Sequence, residues 1–167
     1  MAIALYLTNV FSSCRHSQNR TAEQIAENKS IKSVLFDTSN TALIQFDQKG
    51  NYPFDNSDRP ATLTEDDINC VDSLLNVSVT EYNNSLDKEY KERSIDLKKD
   101  NYRKQLIAVT NNKGEKEVWI NCFCHTWHSN RWKTEIMIVH DGGSCYFRLK
   151  VNLATKKTYD FGVNGEA

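Results

Sequence analysis

The feature that most limits what this chain can fold into is one long amphipathic stripe. In "LTEDDINCVDSLLNVSVTEYNNSLDKEYKERS", Ile68, Val71, Leu75, Val79, Tyr82, Leu86 and Tyr90 recur every three or four residues, which puts them on one face of an α-helix. Thr64 is placed to cap it, with Asp67 three residues on as the reciprocal partner. Glu65, Asp66 and Asp67 fall in the first turn, where the helix dipole favours negative charge, and Lys88, Lys91 and Arg93 crowd the far end. The pattern predicts a helix of about 28 residues, ~42 Å long at 1.5 Å per residue. A helix apolar on one side only must lie across another layer.

The second half supplies that layer. "KQLIAVTNNKGEKEVWINCFCH" reads as strand, turn and strand with Asn111 to Gly114 at the tip. On the second of these strands Val118, Ile120, Cys122 and Cys124 alternate with Trp119, Asn121, Phe123 and His125. "TEIMIVHDGGSCYFRLKVN" reads as a further hairpin turning at Asp141 to Gly143. It would set Ile136 and Ile138 on the face of Cys145, Phe147, Leu149 and Val151, and leave Tyr146, Arg148 and Lys150 toward solvent. "TYDFGV" makes a last strand. Upstream, Val34-Leu35-Phe36 and Ala42 to Phe46 flank the turn-forming "DTSN" as a hairpin or two edge strands, and Tyr52 and Phe54 pin the following loop to the body. The expectation is an α+β fold, one long amphipathic helix packed on a curved antiparallel sheet of four to six strands.

The N-terminus is of another kind. Met1 to Phe11 is uncharged and mostly apolar, Ser12 and Ser13 are small, Cys14 follows, and the chain turns polar at Arg15. Phe11-Ser12-Ser13-Cys14 resembles a bacterial lipobox, in which the cysteine becomes the acylated mature N-terminus. No Lys or Arg precedes the apolar run and the run is short; a start further upstream would account for both. At ~11 residues it cannot span a bilayer as a mature helix. The division read from the sequence is a signal-like segment 1–13, a polar tether 14–30 and a single domain 31–167. With 21 Lys plus Arg against 22 Asp plus Glu, a net charge of -1 gives no general attraction to nucleic acid or to an anionic membrane. Contact with the membrane is expected through the Cys14 lipid alone.

"NCFCHTWHSNRW", Asn121 to Trp132, is the one stretch dense in chemistry-bearing residues. Zinc would need four ligands converging within ~2.0–2.3 Å of one point. Strand alternation divides Cys122 and Cys124 from His125, so no metal site is expected. Cys122 and Cys124, ~6.7 Å apart on an extended strand, are at the strained edge of disulfide geometry, and Cys145 reads as lying on a different hairpin. Cys122, Cys124 and Cys145 are therefore read as reduced core cysteines, with a bridge from Cys70 to the sheet as the alternative. No catalytic motif and no cofactor motif is found: G-x-S-x-G, Gly-rich phosphate loops and H-E-x-x-H are all missing from the sequence. The loop carrying Trp127, His128, Arg131 and Trp132 is the candidate binding loop, because tryptophan and arginine dominate recognition surfaces. The competing expectation is that the tryptophans fold back as a lid on the sheet.

"YPFDNSDRPATLTEDDI", "VWINCFC" and "DGGSCYFRLKVNLATKKTYDFGVNGEA" together resemble a group of small uncharacterised lipoproteins of Bacteroides-type bacteria, over roughly Ser33 to Ala167. The resemblance implies a secreted, lipid-anchored domain at the cell envelope, in the periplasm or on the surface, and brings no catalytic residues. The helix-then-meander order is similar to cystatin-like and NTF2-like folds in architecture alone. The expected function is a binding or interaction module for a protein or small-molecule ligand. An inhibitor or immunity-type protein and an enzyme with a pocket between helix and sheet are the alternatives, and the cystatin Q-x-V-x-G hairpin is missing.

Overall fold

The computed structural model describes residues 39–49, 52–126 and 130–166. The apolar leader, Cys14, the tether and the Val34 to Phe36 run lie outside these residues, as do Trp127 and His128. The described chain runs β1 (Thr41–Leu43), β2 (Arg59–Pro60), α1 (Glu65–Ser85), β3 (Arg103–Thr110), β4 (Lys116–Phe123), β5 (Tyr146–Asn152) and β6 (Lys157–Val163). The fold is α+β, with one main helix and an open six-stranded sheet in the order β1-β3-β4-β5-β6, β2 pairing with β3 beyond β1. Every pairing is antiparallel except β1 with β3.

The helix begins as its sequence predicts. Thr64 Oγ1 accepts from the Asp67 amide at 3.2 Å, and Asp67 Oδ2 accepts from the Thr64 amide at 2.9 Å. Ile68, Val71, Leu75 and Val79 are buried against Leu106, Val118, Ile120, Phe147, Leu149 and Val151 of the sheet. Tyr82, half-buried, stacks on Phe161 of β6 with ring centres 5.3 Å apart.

The helix ends earlier than expected. It has 21 residues and stops at Ser85, where Leu86 turns extended at ψ 129°. The cause is Asn83, whose side chain donates to the Ile95 carbonyl and accepts from the Ile95 amide, each at 2.8 Å. That clamp folds the chain back and buries Ile95 at the helix end. Tyr90 leaves the stripe for a separate 3-10 turn, Lys88–Arg93, and is exposed. The positive charge still reaches the last helical turn, because Lys91 Nζ donates to the Asn83 carbonyl at 2.8 Å.

The other face of the sheet corrects a second expectation. It is largely covered. Phe46 and Phe54 pack on Ile107, Val109 and Trp119, and Trp132 with Ala42 packs on Phe123 and Tyr146. Tyr146 is thus buried rather than solvent-facing, and Lys150 is half-buried with its ammonium over the Phe54 and Tyr159 rings. Arg148 alone of the three is exposed, as its position predicts. The sheet is the middle of three layers: helix, sheet, and a cover of irregular chain.

The third correction concerns pairing. Thr134 to Val139 is not a strand of a hairpin. β5 pairs along β4 instead, with Ile120 opposite Leu149, and residues 124–145 form one long connection between those neighbours. Gly142 does turn the chain, at φ 89°, into β5. A Cβ there would stand 2.6 Å from the Tyr146 ring, so only glycine fits.

Candidate interaction surface

The long connection is closed at its base by a disulfide, Cys124 to Cys145, with Cα atoms 5.1 Å apart. The Cys124 amide donates to the Cys145 carbonyl at 3.0 Å across the same neck. This overturns the reading of Cys124 and Cys145 as reduced, while Cys122 is a buried thiol as read. β4 stops at Phe123 and Cys124 lies in the bend just past it, packed against the same helix-side core as Cys122. Cys145 precedes β5, which runs beside β4 rather than on a separate hairpin. Cys70 and Cys122 are buried thiols, and burial pushes the Cys122 thiol far up. Cys124 Sγ, tied to Cys145, is no thiolate donor for a metal. Among the described residues no three His, Cys, Asp or Glu side chains converge as metal ligands.

A single polar side chain seats the connection on the sheet. Gln105 of β3 is wholly buried. Its Nε2 donates to the Trp132 and Glu135 carbonyls at 2.5 and 2.6 Å, and its Oε1 accepts from the Met137 amide at 2.9 Å. Asn121 of β4 adds a bond from its Nδ2 to the Met137 carbonyl at 2.8 Å, and another to Gln105 Oε1 at 3.1 Å. The cover therefore mates with side chains of the sheet, not with its ladder.

Of the four expected loop residues, the structure places two. Trp132 is buried edge-on against Phe123 at 5.8 Å, with Arg103 and Lys133 over its own ring. It acts as the lid that the sequence offered as the competing role. Arg131 is exposed and its guanidinium is forked onto Glu135, with Nη2 to Oε2 at 2.6 Å. Trp127, His128 and the lipid-attachment residue Cys14 lie outside the described residues.

One apolar side chain of this connection, which the sequence placed on the core face with Phe147 and Leu149, is exposed instead. Ile138 is 64% exposed. It borders a shallow depression of about 20 Å³ together with Tyr52, Arg148 and Asn164. Tyr52 is 43% exposed and stands edge-on to Trp119 at 5.5 Å. Burial raises its phenol pKa, and the nearby Arg148 charge opposes that shift. Asn164 holds the rim by donating to the Val139 carbonyl at 2.6 Å. The sequence misplaced Ile138 because an apolar, β-branched run before a Gly pair looks like an ordinary strand.

On the opposite, helix side a groove of about 670 Å³ opens between α1 and β1, floored by Leu43, Leu63, Ile68, Leu75 and Leu97. Three of the ionisable groups lining it, Asp72, Tyr102 and Lys104, are engaged with neighbours. Lys104 Nζ bonds Asp72, and the Tyr102 hydroxyl donates to the Ser144 carbonyl at 2.6 Å. Burial drives the Tyr102 phenol far up, which keeps it protonated. No family model matches the chain, and neither a curated protein nor a solved structure matches it.

Proposed function

We propose that this is a lipid-anchored binding module of the bacterial cell envelope, tethered through Cys14 and meeting a protein partner over Tyr52, Ile138 and Arg148. The observation that carries the reading is the 124–145 connection. It is clasped by a disulfide and seated on the sheet, and it presents an exposed isoleucine beside a tyrosine and an arginine. Aromatic and arginine side chains on a rigid support are the usual composition of an interface centre. A disulfide persists in oxidising compartments, which supports export. The lipobox-like Phe11-Ser12-Ser13-Cys14 and the resemblance to Bacteroides-type lipoproteins support the address.

The helix followed by four antiparallel strands supports a cystatin-like or NTF2-like reading of the architecture, from which the parallel β1 departs. An enzyme would place its chemistry in the groove between α1 and β1. There Asp72 is matched to Lys104 and Tyr102 to a carbonyl, which favours binding over turnover.

The test is the native N-terminus. Mass spectrometry of protein taken from its own membranes is expected to give a first peptide beginning at Cys14 and carrying acyl chains. Cys14→Ser is expected to move the protein to the soluble fraction. A soluble wild-type chain that retains an unmodified Met1 peptide would overturn the address.

A further inference from the structure

Lys156 meets a sulfur rather than a carboxylate. Its Nζ donates to Cys70 Sγ at 3.3 Å, between residues 86 positions apart in the chain. Among the described residues no acid forms an ion pair with this ammonium. Lys156 is half-buried and Cys70 is 4% exposed, so the thiol lies one side chain beneath the surface. Both groups stand on fixed supports. Cys70 is in the second turn of α1 and packs in the same core cluster as Leu153. Leu153 opens the turn 153–156 between β5 and β6. Asn152 Oδ1 holds that turn by accepting from the Ala154 and Thr155 amides, each at 3.0 Å. A thiol and a primary amine are thus kept in contact between the helix and the edge of the sheet. Cys122 is the contrast. It is wholly buried, and the amine of Lys104 opposite it is held by Asp72.

We propose that Cys70 and Lys156 form a reversible cross-link, closed by hydrogen peroxide and opened by thiols. Peroxide is close to water in size, so displacement of the one lysine chain admits it. It takes two electrons from the Cys70 sulfur: the O–O bond breaks, an S–OH group forms, and one water leaves. A sulfenic acid of this kind condenses with a nearby thiol or nitrogen. The Lys156 ammonium gives a proton to solvent and its nitrogen attacks the sulfur. The S–N bond forms, the S–O bond breaks, and the hydroxyl leaves as a second water with a proton from the amine. The product is a sulfenamide that ties α1 to the β5–β6 turn. A reductant thiol attacks the sulfur and frees the amine, and a second thiol frees Cys70. The inference rests neither on the lipid anchor nor on the Tyr52, Ile138 and Arg148 patch.

The test treats full-chain protein with hydrogen peroxide, unfolds and alkylates it, and maps its tryptic peptides without reduction. The expected product is the Cys70 peptide joined to the Lys156 peptide, lighter than their sum by two hydrogens and uncut after Lys156. Dithiothreitol is expected to release both. Closing so long a loop is expected to raise the melting temperature by at least about 4 °C. Lys156→Arg keeps the charge and removes the primary amine. It is expected to lose the link and the melting shift, and to leave Cys70 as a sulfenic acid that dimedone traps. Lys156→Gln gives the same readout at Cys70 if the arginine variant fails to fold. Cys70 that stays a thiol throughout peroxide treatment overturns the proposal. So does Cys70 recovered as sulfinic acid with Lys156 still cut, or a link to Lys157 in place of Lys156.

Discussion

Gln105 uses all four of its hydrogen-bonding sites inside the protein, two donors to carbonyls of the cover and one oxygen shared by Asn121 and Met137. Gln105→Leu keeps the volume but leaves those buried partners unmatched. Chemical denaturation is expected to show a loss of about 3 kcal/mol or more, since each buried unsatisfied group costs about 1–3 kcal/mol. A polar residue inside "KQLIAVT" reads in the sequence as a solvent-facing position. Nothing local says that another segment will arrive to meet it. Asp67 is different, because its role was legible from spacing alone. Burial would raise its pKa, but hydrogen bonds from Lys116 and from Thr64 outweigh this and hold the carboxyl below its ordinary value. A depressed carboxylate stabilises above its unfolded pKa and loses that contribution as pH falls through the folded value. The stability gap between wild type and Asp67→Asn, followed by thermal melts, is expected to be full above about pH 5 and to close below about pH 4. A gap unchanged with pH would mean that the charge on Asp67 is not what matters.

Among the elements, α1 was legible in its cap, its first turn and its buried stripe. Leu75→Ala is expected to cost about 2–5 kcal/mol in denaturant melts, as a core truncation against Ile120 and Leu149 should. A change below about 0.5 kcal/mol, the range of surface substitutions, would contradict that packing. Its end was not legible. Leu86 and Tyr90 keep the helical spacing, while the signal that stops the helix is a clamp from Asn83 to Ile95, twelve residues on. The apparent hairpin at Asp141 to Gly143 failed for a related reason. The turn chemistry was right, and "TEIMIV" has strand composition. But β4 has only one open side, and β5 occupies it with seven paired residues. Competition for an edge is a property of the sheet, which local pattern does not contain.

At the scale of the molecule, the structure is a sheet with a helix on one face and a stapled cover on the other. The outer side of the cover carries the Tyr52, Ile138 and Arg148 patch. Cover and patch should respond differently to substitution. Trp132→Ala, deep under the cover, is expected to cost about 3–5 kcal/mol. Ile138→Asp, on its outer side, is expected to stay within about 0.5 kcal/mol of wild type by thermal denaturation. Equal losses would mean that Ile138 is part of the core. Cys124→Ser with Cys145→Ser opens the loop, whose ends are 21 residues apart, and is expected to cost about 3 kcal/mol in the chain-entropy model. The clasp escaped the sequence reading because Cys145 was placed on a separate hairpin, whereas the pairing of Phe123 with Tyr146 sets it beside Cys124.

The measurement that bears most directly on the stapled, exported domain is the thiol state of the native protein. Free thiols are alkylated in intact cells at lysis, and the peptides are mapped without reduction. The expected result is one linked pair, Cys124 with Cys145, and Cys70 and Cys122 modified only after unfolding. Cys124 and Cys145 recovered separately, both alkylated, would contradict the clasped cover and the oxidising address together.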